Sequence, residues 1–518
     1  MKKFFAVILA AAIACSLTAC GSGTDGGQPG KKQALEVGVF NGGYGLEWVE
    51  KIADAYELSH KGTKITIKET IDQATDLSKI EAGLCSYDVF FTTLASVNKY
   101  GVKGFFKDLN SVYEGKPEND LTVEEKLGTE RAKNYKVYNG NYYSLPFADS
   151  VTGIAYNKTV LDGLFAGSSY KLPNTTNEFI TLAEQIKTKN QYAFVYTLDN
   201  EAEYAWWMTQ TFVAQMVGYE SYVNMLKGKY YDTTSGDYVQ DLTGETIYGL
   251  PERIIAIQET QKLLNKSSGY VATATDKFED FAEAQAYFLG KGYGNDKTKA
   301  CFMVNGDWLY NETEYLQSAT NPQDLRMMKF PITSEIVKTF TGADASMTDE
   351  TLSSIISSID NDATSSALCS SSTFNKIKEA RNMVYSLQTQ QVACIPSGCK
   401  NLDLAKDFLL FLTSDSASQI YCNALQGCTT PYNTNVTSTA TNEYIKSRNE
   451  IIKSEDTILL PSYYSIEKFV YSLYPNYTFY SEKLYKGEAV SHYNSSTYKN
   501  NYLTGFRAAL ITAGIIQA

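Results

Sequence analysis

Histidine is nearly missing from this chain. Its 518 residues hold two, His60 and His492. Two imidazoles so far apart supply neither a His-based metal site nor a ready general base. The nine cysteines form no CxxC pair, and the spacings Cys394-x4-Cys399 and Cys422-x5-Cys428 do not match zinc ligation. HExxH, GxSxG and a phosphate-cradling GK[ST] loop are absent too, so no metal, cofactor or motif-borne catalysis is expected. Positive charge is in deficit, with 46 Lys and Arg against 58 Asp and Glu, a net charge of -12 and a pI near 5.0. That balance opposes non-specific binding to nucleic acid or to an anionic membrane surface. Beyond the first residues no apolar run is long enough to span a bilayer.

What is abundant is tyrosine: 39 of them, beside 24 phenylalanines, ample material for packed cores. At this length the chain should divide into two or more lobes. Its start is basic at Lys2 and Lys3, then apolar from Phe4 to Ala14, then Leu17-Thr18-Ala19-Cys20. This resembles a secretory signal ending in the lipobox of bacterial lipoproteins, in which the cysteine thiol takes a diacylglyceryl group. Two or three acyl chains, at about 0.8 kcal/mol per buried methylene, anchor a protein stably where one does not. Residues 1–19 are read as a lipoprotein signal peptide, Cys20 as the lipidation site and the Gly-rich 20–33 as a flexible tether. The expected location is the cell membrane, lipid-anchored, facing outward. Seven cysteines remain in the body, an odd number that leaves at least one free thiol; one or two disulfides within 394–428 are compatible with export.

The body opens with strand, helix, strand, helix, strand: ALEVGVFN at 34–41, a helix carrying Leu46, Val49, Ile52 and Tyr56, KITIK at 64–68, a helix with Leu77, Ile80 and Leu84, and YDVFF at 87–91. The pattern predicts a mostly parallel sheet with ligand at the carboxyl ends of its strands, where Asn41 to Gly45 and Thr92 would lie. Later, EAEYAWWMTQTFVAQMVG at 201–218 and LDLAKDFLLFLT at 402–413 read as helices. CFMVNGDW at 301–308 reads as a buried strand closed by a turn, with Trp308 just beyond it. The Ser/Thr/Asp-rich stretch 332–391 reads as an inserted subdomain.

Four blocks in order carry a family resemblance: VGVFNGGYGLEWVEKIADAYE, LPFADSVTGIAYNKTVLD, AEAQAYFLGKGYGNDKTKACFMVNGDW and IPSGCKNLDLAKDFLLFLTSD. The set resembles the family 1 extracellular solute-binding proteins of bacterial ABC importers, the group of maltodextrin-binding protein. The resemblance implies an α/β fold of the type II periplasmic-binding-protein kind, two lobes joined by a hinge with solute in the cleft between. Lobe 1 would take 34–148 and 332–434, and lobe 2 149–331 and 435–518. Hinge crossings would fall near Leu145 to Ser150, Phe330 to Thr333 and Thr430 to Asn435.

The resemblance also implies that Trp308 faces the cleft and stacks on a sugar ring, although a tryptophan just past a buried strand fits plain core equally well. Tyr44, Asn41, Thr92, Asp149, Ser150, Tyr204, Trp207 and Asp307 are the further ligand-binding candidates. Trp206 and Trp207 are adjacent, so a helix points one of them into core. The implied protein is a monomer that captures a small solute, carbohydrate by preference, and hands it to ABC permease subunits. An oligopeptide-binding lipoprotein is a second reading. A surface glycan-active enzyme is a third, because a glycosidase needs only two carboxylates.

Overall fold

A computed structural model describes residues 33–517, apart from 94–96, 119, 138, 199–203, 318–321, 454–455, 463–478 and 513. The expected signal peptide, Cys20 and all of the tether but Gln33 lie outside the described residues, as do the first three positions of the helix expected over 201–218.

The strands are β1 (Gln33–Phe40), β2 (Thr63–Thr70), β3 (Val89–Thr92), β4 (Leu145–Pro146), β5 (Thr152–Asn157), β6 (Tyr192–Phe194), β7 (Lys229–Asp232), β8 (Asp237–Gln240), β9 (Ala300–Gly306), β10 (Leu325–Met328), β11 (Met383–Ser386), β12 (Val392–Cys394) and β13 (Ile458–Pro461). Two sheets organise them. The first has the order β2-β1-β3-β12-β4, the second β10-β5-β9-β6. Helices cover both sheets, giving two α/β lobes. Helix Glu47–Ser59 follows β1 because Trp48, Val49, Ile52, Ala53 and Tyr56 form one buried stripe at helical spacing.

The sheets are mixed rather than mostly parallel. β1 runs parallel to β2 and β3, but β12 is antiparallel to β3 and β4. β4 leaves the first lobe and β12 re-enters it from the same side, which forces opposite directions. In the second sheet β9 is parallel to β6 and antiparallel to β5.

The segment 332–391 corrects two expectations. The resemblance places it in lobe 1, with a crossing near Phe330 to Thr333. Instead Ile332 bridges Thr175, the Thr175 hydroxyl donates to Asp349 at 2.8 Å, and the Thr333 N–H donates to the Gln215 side chain at 2.9 Å. These are lobe 2 partners. The segment builds its own small core from Ile336, Phe340, Leu352, Ile355, Ile356, Phe374 and Ile377, then continues into β11. The second crossing therefore falls at 387–391. There Leu387 N–H donates to the Ser150 carbonyl, and Phe147 N–H to that of Gln391, tying it to the crossing between β4 and β5. The helix Glu443–Lys453 lies on β10 of the second sheet, where Met327 N–H donates to Ser447 Oγ at 2.8 Å. The body cysteines, Cys85, Cys301, Cys369, Cys394, Cys399, Cys422 and Cys428, are free thiols.

Candidate functional site

Strand carboxyl ends from both sheets converge on one cleft of about 790 Å³. Asn41 to Gly45 follow β1, Thr93 follows β3, Thr197 follows β6 and Trp308 lies just past β9; all line it. This is where open α/β sheets place ligands. The first lobe contributes Phe40, Asn41, Tyr44, Trp48, Gln73, Thr92 and Phe147; the second contributes Tyr204, Trp207, Phe281, Gln285, Trp308, Glu312 and Tyr315. Leu387, Gln390 and Gln391 of the second crossing close the base.

Of the sequence candidates, Asn41, Tyr44, Thr92, Tyr204, Trp207 and Trp308 lie on this wall. Asn41 is exposed and donates to Glu69 at 2.7 Å. Thr92 donates to Gln73 Oε1 at 2.5 Å, and the same oxygen accepts from Thr93 N–H at 2.8 Å, so Gln73 is pinned across the end of β3. Tyr204 stacks on Trp207, centroids 4.4 Å apart and planes 28° from parallel. Trp206 and Trp207 are both buried, and of the two only Trp207 lines the cleft.

Trp308 combines the two roles proposed for it. It borders the cleft, yet it is 7% exposed. Gly43 of one lobe and Gly306 of the other lie against the indole so closely that a methyl at either would overlap it. Tyr44, Tyr204 and Trp207 meet it edge-on at 6.2, 6.2 and 5.9 Å. Such aromatic pairs add to the area they bury.

Asp149, Ser150 and Asp307 do not line the cleft. They belong to a buried polar network behind it. Arg448 is fully buried and pairs with Asp307 at 3.0 Å. Asp307 Oδ1 also accepts from Tyr44 Oη at 2.6 Å and Ser150 Oγ at 3.4 Å. Arg448 donates further to the Asp149 carbonyl and, at 3.0 Å, to Thr429 Oγ1. Asp149 in turn accepts from Gln388. Burial pushes the Asp307 carboxyl upward, while the guanidinium and the Tyr44 hydroxyl pull it down. Burial also holds the Tyr44 hydroxyl protonated, with the Asp307 charge adding to the shift, so it stays a donor. This network ties the two lobes together behind the cleft.

Sequence reasoning missed Arg448, Gln73, Gln285, Glu312 and Gln390. Arg448 had a signal: it sits on the stripe Tyr444, Ile445, Arg448, Ile451, the one charge on a helix's buried face. Gln285 is similar, a polar residue between Ala284 and Phe288 on the buried side of Phe281–Phe288. Glu312 had none.

Arg448→Met should destabilise the protein by about 3–5 kcal/mol, because Asp307 is left buried and unpaired, and Asp307→Leu in the same chain should restore much of that. Chemical denaturation of the single and double variants measures it. Trp308→Ala should lower the stability of the ligand-free protein by about 3–5 kcal/mol, as truncation of a wedged core aromatic does. An unchanged melting temperature would refute the wedge.

The sequence and the fold both have relatives. Residues 51–449 match the model of the bacterial extracellular solute-binding protein family. The diacetylchitobiose binding protein NgcE of Streptomyces coelicolor is 25% identical over 205 residues, which cover 36% of this chain and 41% of that relative, so the alignment spans about two fifths of it. Among solved structures, RafE in complex with raffinose superposes with a TM-score of 0.60 at 15% identity, covering 92% of this chain and 99% of the other. A chitin oligosaccharide binding protein gives 0.58 at 15% identity, over 94% and 100%. The matching family and these neighbours are binding proteins rather than enzymes, and the two-lobed architecture is theirs. With more than half its length matched to the family model, the chain belongs to the bacterial extracellular solute-binding proteins.

Proposed function

We propose that this protein is the membrane-anchored receptor of an ABC importer, capturing a carbohydrate in the interlobe cleft and delivering it to the permease. The observation that carries this reading is the cleft wall, in which aromatic rings from both lobes alternate with amides and hydroxyls. A pyranose offers an apolar C–H face and an equatorial rim of hydroxyls. Rigid rings cover the first at little entropy cost, and side-chain amides match the second, whose unpaired burial costs about 1–3 kcal/mol per group. The Tyr204–Trp207 pair, Phe147 and the two exposed rim aromatics, Phe281 and Tyr315, supply the rings. The names of the relatives, which bind diacetylchitobiose, raffinose and chitin oligosaccharide, support the same substrate class. Against a glycan-active enzyme stands the chemistry of the wall: among the described residues Glu312 is the one carboxylate lining the cleft, and glycoside hydrolysis uses a pair.

Capture works through the hinge. Solute touching both lobes favours the closed arrangement, because only that arrangement supplies both sets of contacts.

A thermal-shift screen across neutral oligosaccharides, peptides and polyamines tests the reading. A sugar at a hundred times its Kd should stabilise the protein by about 2.7 kcal/mol. Stabilisation by peptides alone would replace the carbohydrate reading with the oligopeptide one. The anchor is separately testable. The run Leu17 to Cys20 before a Gly-rich stretch supports lipidation at Cys20. Cys20→Ser should move the protein out of the membrane fraction or leave its signal uncleaved, with the folded body unaltered. Unchanged membrane fractionation would remove the anchor.

A further inference from the structure

One polar cluster on the cleft wall has no structural task. Glu312, half-buried in the helix Leu309–Thr313, accepts from Gln285 Nε2 at 2.6 Å through Oε2. No other hydrogen bond or ion pair to the Glu312 carboxylate is present among the described residues. Gln285 is 1% exposed, and its own carbonyl oxygen is buried without a partner. Two further cleft groups share that condition: the indole N–H of Trp207, 3% exposed, and the amide nitrogen of Gln390. Buried polar groups are almost always paired, and leaving one unpaired costs about 1–3 kcal/mol. Acceptors and donors held unpaired around one cavity are what a ligand would pair.

The charge of the cavity narrows that ligand. No Lys or Arg lines it among the described residues. The groups facing Glu312 are the neutral amide of Gln285 and, from helix Glu443–Lys453, the buried phenol of Tyr444, which burial keeps protonated. Glu314, the nearest acid of the same segment, is exposed and bonded to Gln426. Lacking a cation, the buried Glu312 carboxyl is pushed up to about 7.

We propose, resting on the carbohydrate reading above, that the Gln285–Glu312 pair is the specificity determinant of the cleft: it takes two adjacent hydroxyls of an uncharged sugar onto carboxylate and amide oxygens, and it rejects uronates and phosphorylated sugars. An anionic ligand meets a lone carboxylate in a cavity without a cation. Hydroxyl donors stabilise the ionised form of Glu312, so binding lowers its pKa and releases a proton. The free pKa is near 7, so affinity is full above neutral pH and falls as pH drops below it.

The test is calorimetric titration of the purified chain with N,N′-diacetylchitobiose, raffinose and maltotriose as neutral probes and digalacturonate as the anionic one. A neutral probe that binds should do so roughly ten- to thirtyfold more weakly at a pH of about 5.5 than at about 8.5. It should release protons at neutral pH, seen as heats that depend on the buffer's ionisation enthalpy. Digalacturonate should not bind. Glu312→Gln should lose about ten- to a hundredfold in affinity for the neutral probe and abolish both the pH dependence and the proton release. Proton release in the unaltered protein is read without any variant, so a poorly folding Glu312→Gln leaves the test decisive. A neutral probe that binds with no proton release and no pH dependence would overturn the proposal and leave the sugar reading standing. Digalacturonate binding as tightly as the neutral probes would overturn it likewise. If no probe binds here and no sugar binds in the wider screen, both readings fall together.

Discussion

The buried pair Arg448–Asp307 is the constraint on which the rest of this structure depends. A guanidinium with no exposed surface is tolerable only if its donors are used. Here they reach Asp307, Thr429, Asn449 and the Asp149 carbonyl. Asn449 is its neighbour on the same helix; the other three come from three parts of the chain: the end of β9, the crossing after β4, and the segment after the helix Asp415–Ala424. One side chain therefore fixes where the two lobes meet. Tyr44, bonded to the same carboxylate, brings the turn after β1 against the turn after β9. That contact seats Trp308 between Gly43 and Gly306 and sets the floor of the cleft.

The division of labour follows from burial. Behind the wall, charges are paired and hydroxyls are used up in the clasp, so they have little left to offer a solute. On the wall, rings dominate and several polar atoms remain unpaired. A hinge needs fixed geometry and a site needs unmet capacity, and the two requirements sort residues that look alike in sequence. Asp307 and Glu312 lie five positions apart, yet one faces a guanidinium and the other faces the cavity with an amide for company.

The segment 332–386 forms a small core of its own beside that arrangement. Its helices Asp349–Ile359 and Ser371–Asn382 bury apolar faces against each other in a core separate from the main one. Its polar edge meets the start of helix Thr176–Lys187 through Asn174, Thr175 and Thr176. β11 then pairs with β13 and hands the chain to the second crossing.

By itself the sequence determined what local periodicity can encode. The β1 strand, its glycine turn and the stripe of Glu47–Ser59 were legible, as were the buried strand Ala300–Gly306 and the helix Leu402–Leu412, because burial repeats every two or 3.6 residues whatever lies opposite. The order of four weak blocks carried the two-lobed fold. Tertiary structure alone decided which side chains meet. Tyr44 finds Asp307 across 263 positions, Arg448 finds it across 141, and Ser150 across 157. No local pattern says whether an acid at a strand end will face a cation, a hydroxyl or open water. The hinge crossing at 387–391 is not legible in sequence for the same reason: a polar, helix-rich stretch can pack on either lobe, and only the partners of Ile332, Thr333 and Asp349 choose one.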